Sequence, residues 1–199
     1  MFSIKKILLF ALILLLTGAI GSIFTFSTFK QAAAVNEEMS FNNNISAIEV
    51  NASHVGVNVL PVKEQAVKVE LTGHKSSNTN YELSADVDDT TLLIKAVEKQ
   101  QSYISLNSLM LTVYLPEQQY ESLYVNSNNG QVRAESLSIE DVTCKTTNGM
   151  IELKSITAKD VRAETNNGEI TFYDVQGKVS GTTQNDLVKP KRTIRSWTG

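Results

Sequence analysis

The chain has 199 residues, which is enough for one domain and an appendage. Its formal net charge of -3, from 18 basic and 21 acidic side chains, gives no basic field to attract nucleic-acid phosphates. The single cysteine, Cys144, excludes an internal disulfide, and His54 and His74 add too few ligands for a zinc site. We therefore expect no cofactor, no metal and no nucleic-acid partner.

The first thirty residues contain an uncharged apolar run over residues 7–26, preceded by Lys5 and Lys6. Twenty residues at about 1.5 Å each span the roughly 30 Å of a bilayer core, which favours an uncleaved transmembrane helix as signal anchor over residues 1–30. The alternative is a cleavable signal peptide, with the alanines of residues 32–34 before the cut. The lysines place the N-terminus in the cytoplasm, which predicts a single-pass cell-membrane protein with its C-terminal domain outside the cytoplasm.

After a linker at residues 31–44, the segment from residue 45 reads as short alternating strands without a clean period. We expect the N-terminal cap of the domain in this irregular half. The strand that contains Val113 and Leu115 lies nineteen residues before Val132 and Ala134. This spacing predicts that it forms an earlier rung of the same stack.

A nineteen-residue repeat follows, and each copy contains Asn-Gly between two runs in which apolar and polar residues alternate. Alternation on both sides of a fixed turn predicts two short strands per repeat, each with one buried face. Asn-Gly also marks tight hairpins, so a meander is the alternative. Uniform columns favour an all-β solenoid, in which each strand pairs with its counterpart one repeat later. The inward columns include Leu123, Val142 and Val161; Val125, Cys144 and Ala163; and Val132, Ile151 and Ile170.

The repeated turn itself is the candidate structural site. Stacked asparagines can hydrogen-bond one another along the solenoid axis, and glycine permits a positive φ at each corner. This turn ladder is predicted to contain Asn129, Gly130, Asn148, Gly149, Asn167 and Gly168.

The stretches LTVYLPEQQYESLYVNSNNGQV, VTCKTTNGMIEL and VRAETNNGEITF resemble the LiaG-like adhesin family of bacterial domains. The resemblance covers about residues 45–185, which we take as the solenoid domain. It implies a β-helical fold in a membrane-anchored protein, sometimes encoded with cell-envelope stress systems. It implies no catalytic residues.

The C-terminal end departs from the family pattern, because Asn185 is followed by Asp186 rather than by glycine. The columns are then expected to fail, which leaves residues 186–199 as an irregular basic tail around Pro190. Because the family pattern continues with further coils, we expect a truncation or a shifted reading frame. A tail that docks a partner is the alternative.

The candidate catalytic groups are explained more simply by structure. Cys144 lies in an inward column, as a small buried hydrophobe would. The Asp86, Asp88 and Asp89 cluster lacks the glycine and glutamate of a calcium loop. Asp141 and Asp160 are predicted to stack, but aspartate at a corner is ordinary turn chemistry.

We therefore predict no enzyme but a membrane-anchored binding or scaffold module of the bacterial cell envelope, adhesin-like and linked to envelope stress. Its expected partners are the membrane and an envelope polymer or protein. The alternatives are a regulator that contacts a membrane sensor and a polysaccharide lyase or hydrolase. Column residues that face outward include Gln131, Met150 and Glu169, and Glu135, Lys154 and Tyr173.

Overall fold

The computed structural model describes residues 11–19, 32–42, 44–76, 80–99, 108–191 and 196–197. The described chain contains one helix, α1, over residues 11–19, and sixteen strands. The strands are β1 (Ala32–Phe41), β2 (Ala47–Ala52), β3 (Gly56–Val62), β4 (Val67–Ser76), β5 (Tyr81–Asp88), β6 (Thr91–Glu98), β7 (Ser108–Pro116), β8 (Gln119–Ser127), β9 (Val132–Glu135), β10 (Ser138–Thr146), β11 (Ile151–Lys154), β12 (Thr157–Thr165), β13 (Ile170–Tyr173), β14 (Gln176–Thr183), β15 (Val188–Lys191) and β16 (Ser196–Trp197).

The strands form two mixed eight-stranded sheets. Sheet A has the order β1-β4-β7-β3-β9-β11-β13-β15, and sheet B has the order β16-β14-β12-β10-β8-β2-β6-β5. A sheet B strand is followed in sequence by a sheet A strand in β2–β3, β6–β7, β8–β9, β10–β11, β12–β13 and β14–β15. Each of these pairs forms one rung of a solenoid, and the rungs stack by parallel pairing within each sheet.

The parallel register places residues nineteen apart side by side. Val142 pairs with Val161 in sheet B, and Ile151 pairs with Ile170 in sheet A. These four side chains are all buried, because every second residue of each strand faces the space between the sheets. The predicted stacking of the repeats is therefore confirmed, and the hairpin meander is excluded.

The strand that contains Val113 and Leu115, β7, belongs to an additional rung of the stack, as predicted. Strand β7 does not adjoin β9, because β3 lies between them in sheet A. Val59 pairs with Val113 on one side and with Ala134 on the other. The rung β2–β3 thus inserts between two rungs that follow it in sequence. The nineteen-residue spacing of β7 and β9 is therefore not a sign that the two strands pair. A local period in the sequence cannot show that β3, which is distant in sequence, lies between them.

Antiparallel strands close the end of the stack that the irregular half of the sequence builds. In sheet A, β4 pairs antiparallel with β7, and in sheet B, β5 pairs antiparallel with β6. Because β4 and β5 run antiparallel to their neighbours, the parallel repeat ends there. In sheet A, β1 lies beyond β4. The segment predicted as a linker, residues 31–44, therefore contains a strand.

The other end of the stack continues past the predicted failure of the columns. A register shift between Thr157 and Asp160 shortens the step to eighteen residues. Val188 consequently pairs with Ile170, and Ser196 pairs with Lys178. The segment 186–199, predicted as irregular, contains the strands β15 and β16. The domain boundaries at residues 30, 44 and 185 stay a prediction.

The predicted transmembrane helix is wrong. In the part of the chain that the structure describes, no helix has the length and apolarity needed to cross a membrane. The predicted single-pass localisation, with a cytoplasmic N-terminus and an extracytoplasmic C-terminal domain, is overturned with it. The flanking Lys5 and Lys6 lie outside the described residues.

An apolar run in a sequence does not by itself establish a membrane-spanning helix. Hydropathy reports how strongly a segment avoids water, whereas helix length depends on the backbone propensity of each residue. Thr17 and Gly18 have low helix propensity, and both lie within α1. The hydroxyl of Thr17 donates back to the carbonyl oxygens of Ile13 and Leu14, at 3.0 Å each.

Candidate binding surfaces

The asparagines of the repeated turn form a hydrogen-bonded ladder along one corner of the solenoid. The amide nitrogen of Asn148 donates to the side-chain oxygen of Asn129 at 2.6 Å, and Asn167 donates in the same way to Asn148 at 2.7 Å. Asn185 adds a fourth member, because its amide donates to Asn167 at 2.6 Å. We call these four residues the asparagine ladder.

The ladder ends at a histidine that the periodicity did not indicate. The amide nitrogen of Asn129 lies 2.9 Å from Nε2 of His54, in the corner between β2 and β3. His54 Nδ1 lies 3.1 Å from the Ser53 hydroxyl and 3.6 Å from a carboxylate oxygen of Glu98, whose side chain is 4% exposed. His54 is 75 residues away from Asn129 in sequence, so only the insertion of the β2–β3 rung reveals this contact.

The ladder glycines have a different role from the one expected. Positive φ occurs not at Gly130, Gly149 or Gly168 but at the opposite corner, at Ser136, Ser155 and Asp174. The expectation of positive φ at the ladder glycines is therefore wrong. Glycine is needed there because the corners pack closely: a Cβ on Gly149 would collide with the backbone carbonyl oxygen of Gly130 in the rung below.

The threonine of the same turn completes the corner. The Thr165 hydroxyl donates to the carbonyl oxygen of Gly149 at 3.1 Å, and that of Thr183 donates to Gly168 at 3.1 Å. Thr165 is buried, so this bond satisfies a hydroxyl that would otherwise lose its partner water. The Thr-x-Asn-Gly pattern thus has a packing and hydrogen-bonding role in the rungs β10–β11 and β12–β13.

The outer face of sheet A contains ion pairs between successive rungs. Arg133 pairs with Glu152 at 3.1 Å, and Lys154 pairs with Glu135 at 2.5 Å. The Glu135 carboxylate beside Lys154 raises the pKa of that ammonium group. These four charges, on β9 and β11, therefore neutralise one another within the face.

A third ion pair on the same face joins the rung β12–β13 to the rung β14–β15. Lys189 on β15 pairs with Glu169, just before β13, at 2.7 Å. The Glu169 carboxylate likewise raises the pKa of Lys189. No ion pair between described residues joins β11 to β13, so the pairing is interrupted in the middle of the face.

A shallow depression of about 380 Å³ lies at this interruption. Its two ends are Met150 and Tyr173, each 39% exposed, which makes them two of the few exposed large hydrophobic residues of the described strands and loops. The Thr171 hydroxyl lies between them and donates to Glu169 at 2.9 Å. We call this surface the neutral strip; its lining residues are Met150, Glu152, Lys154, Glu169, Thr171 and Tyr173.

The outer face of sheet B has a second depression, of about 360 Å³, beside the register shift of β12 and β14. Asp141 and Asp160 pair in register there, as the sequence predicted, and Lys178 lies 4.0 Å from Asp160. Both aspartates lie within strands β10 and β12, so their expected position at a corner is wrong. Arg162 and Thr143 complete the floor of a strongly polar groove.

The remaining candidate groups show no reactive arrangement. Cys144 is fully buried, and burial raises the pKa of its thiol to about 12, so the prediction of a structural cysteine is confirmed. Asp86 and Asp88 lie on β5, and Asp89 follows in the turn to β6 with a φ of 55°. Among the described residues, no three His, Cys, Asp or Glu side chains come together as metal ligands.

The fold and these surfaces define a class: an all-β solenoid of parallel rungs with one antiparallel end and ladders of polar residues on its outside. The family model of the Toastrack DUF4097 domain matches residues 45–186. The chain therefore belongs to the Toastrack DUF4097 family. The narrower resemblance to LiaG-like domains stays a prediction, and a comparison with curated proteins finds no match.

Solved structures are similar to this chain at low sequence identity. One is titled a "putative cell adhesion protein" from Clostridium sporogenes, with 16% identity over 74% of this chain and 73% of that one and a TM-score of 0.50. Another is a "putative adhesin" from Bacteroides fragilis, with 11% identity, coverages of 83% and 95%, and a TM-score of 0.39. A "putative lipid binding protein" from Parabacteroides distasonis has 10% identity, coverages of 82% and 97%, and a TM-score of 0.29.

Proposed function

We propose that this chain is a non-catalytic, adhesin-like binding module that holds a polysaccharide of the cell envelope on the outside of its solenoid. The observation that carries the proposal is the in-register stacking of the rungs, with Ile151 opposite both Val132 and Ile170. Such stacking holds the outward side chains in flat, rigid rows. Surfaces of this kind suit extended partners better than small, enclosed ligands.

The chemistry of the described side chains supports binding rather than turnover. Glycoside cleavage needs two carboxylates with different tasks, one as an acid and one as a base or nucleophile. Asp141 and Asp160 occupy equivalent places in adjacent rungs, and Glu135, Glu152 and Glu169 are each held by a basic partner. The Cys144 thiol is buried and therefore out of reach of a substrate.

The adhesin-like character of the proposal draws on a neighbour. The Clostridium sporogenes protein that shares this fold is named for cell adhesion. An envelope polysaccharide is an extended polymer, which fits flat outer faces whose depressions are shallow. A link to envelope stress belongs to the same proposal, since it comes with the resemblance to LiaG-like domains.

The test is co-sedimentation of the full chain with insoluble bacterial cell walls, either intact or stripped of protein by proteolysis. We expect saturable binding to the stripped walls, no binding by the heat-unfolded chain, and no release of soluble reducing sugar. Binding to intact walls alone would point to a protein partner and overturn the proposed polymer. Sugar release above a no-protein control would overturn the non-catalytic reading.

A further inference from the structure

We propose that the neutral strip between β11 and β13 is a binding site for a neutral, flat sugar chain. This inference rests on the proposed function and names the surface and the ligand class. Its starting point is the interruption of the ion pairs on sheet A. Arg133 pairs with Glu152, and Glu135 pairs with Lys154, between β9 and β11. Glu169, just before β13, pairs with Lys189 on β15.

The ion pairs on the outer face of sheet A indicate which ligand charge fits the strip. A charged polymer would have to compete with Glu135 for Lys154, or with Arg133 for Glu152, and it would gain little over the pair that it breaks. A neutral ligand leaves all three pairs intact. It can still hydrogen-bond to the free lone pairs of Glu152, because a carboxylate accepts more than one donor.

The two ends of the strip decide the shape of the ligand. Tyr173 offers an exposed aromatic ring and Met150 an exposed, flexible thioether, and both are large apolar groups that prefer contact with an apolar partner surface. A pyranose ring has one face of C–H groups and a rim of hydroxyls. It can therefore lie against Tyr173 or Met150 while its rim hydrogen-bonds to polar groups.

The middle of the strip supplies those polar groups. The Thr171 hydroxyl is fixed as a donor to Glu169 at 2.9 Å, which leaves its oxygen lone pairs to accept from a sugar hydroxyl. Glu152 is held in place by Arg133. From Met150 to Lys154 the strand advances about 13 Å, at about 3.3 Å per residue, which is enough for two linked sugar rings.

The groove on the outer face of sheet B fits this ligand less well. Its lining is polar, with Asp141, Asp160, Arg162 and Lys178, and it has no exposed aromatic ring or thioether. Only Tyr124 offers a ring on the neighbouring strand of that face, where it pairs with Thr143. Tyr124 is therefore the matched control for Tyr173.

The experiment is calorimetric titration of the full chain with cellotetraose, a neutral β-1,4-linked chain, and with the glucuronic acid tetramer of the same linkage. We expect saturable binding of cellotetraose and at least tenfold weaker binding of the anionic tetramer. Tyr173→Ala should weaken cellotetraose binding at least tenfold, whereas Tyr173→Phe, which keeps the ring, and Tyr124→Ala should bind within about threefold of the wild type.

Unchanged unfolding temperatures in the three variants show that the differences arise at the surface. A chain that binds stripped cell walls but not cellotetraose would overturn the strip as a neutral-sugar site and leave the proposed function standing. Equal binding by wild type and Tyr173→Ala, or a preference for the anionic tetramer, would overturn it as well. Failure to bind either walls or cellotetraose would overturn both proposals.

Discussion

Ile151 lies at the centre of the inward column on sheet A, between Val132 and Ile170, and is fully buried. Its neighbour Glu152 points outward and pairs with Arg133. Ile151→Asp places an ionised group where the described core offers no partner, so we expect a loss of at least about 3 kcal/mol in the free energy of unfolding. Denaturant unfolding monitored by circular dichroism measures this loss.

Glu152→Gln is the matched control, because it changes the outward side chain of the same strand without changing its size. We expect a change within about 1 kcal/mol, the range of surface ion pairs. Similar destabilisation by both variants would show that the assignment of inward and outward faces is wrong.

Gly149 tests the close packing of the ladder corner. A Cβ on Gly149 meets the carbonyl oxygen of Gly130, which is backbone and has little room to move. We expect Gly149→Ala to cost about 2 kcal/mol of stability or more, since overpacking a rigid contact costs about 1–3 kcal/mol. Chemical denaturation of the full chain is the measurement.

Asn148→Ala, at the preceding position, removes two ladder hydrogen bonds without adding an atom at the corner. Because Asn148 is exposed and water can replace its partners, we expect a smaller loss than for Gly149→Ala. A larger loss for Asn148→Ala would mean that the amide ladder, and not the close approach of the backbones, requires this turn sequence.

For single residues, the sequence predicted which side chains face inward better than it predicted which residues they contact. The inward positions of Val142, Cys144 and Ile151 follow from period-two alternation, which is a local property of a strand. The sequence did not predict why glycine is required at position 149. A glycine that adopts a positive φ and a glycine that makes room for a close neighbour look the same in sequence. The His54 contact was out of reach because it depends on the insertion of the β2–β3 rung, and His54 lies 75 residues from Asn129 in sequence.

Among the elements, β15 has an unusual edge. The N–H of Val132 donates to the carbonyl oxygen of Met150, and those of Ile151 and Ile170 donate to Glu169 and Leu187 in the next rung. The residues of β15 that occupy the equivalent positions, Val188 and Pro190, therefore direct their backbone away from β13. Proline has no N–H, so the free edge of sheet A lacks a donor where another strand would need one.

Pro190→Val restores this donor on an edge strand. We expect the variant to self-associate at lower concentration than the wild type, because an unprotected edge pairs with other chains. Sedimentation velocity of the full chain over a concentration series is the measurement. Thr182→Val is the control, since it adds the same apolar side chain on β14 and leaves the backbone donors of β15 unchanged.

Association of both variants to the same degree would assign the effect to added apolar surface rather than to the backbone donor. No association of Pro190→Val at any concentration would show that the β15 edge is protected by something other than its proline.

At the scale of elements, the regular half was predictable and the irregular half was not. The rungs from β8 to β13 repeat with identical spacing, and their pairing follows from that spacing. The insertion of β2–β3 beside β8–β9 depends on contacts between segments far apart in sequence. The strand β15 was missed because the bulge in β12 and β14 changes the step from nineteen to eighteen, which a fixed period cannot follow.

For the whole molecule, the stacking of rungs converts a repeated local pattern into long outer faces. The charges on sheet A, predicted only as outward columns, pair between rungs, and no ion pair of the described residues crosses from β11 to β13. The sequence contained the two ends of the neutral strip, Met150 and Tyr173, but not the pairing that isolates them. A partner that prefers this strip over the rest of the face has to be neutral and partly apolar.

The most direct test of sugar binding at the neutral strip is a titration of the full chain with cellotetraose, observed through ¹³C-labelled methionine methyl groups. The chain has four methionines, and Met110 lies on the same outer face, where it packs over Gly56. We expect a saturable shift of the Met150 methyl signal, while the Met110 signal stays in place. A saturable shift of Met110 with Met150 unmoved, or no shift of either at concentrations that saturate binding, would contradict it.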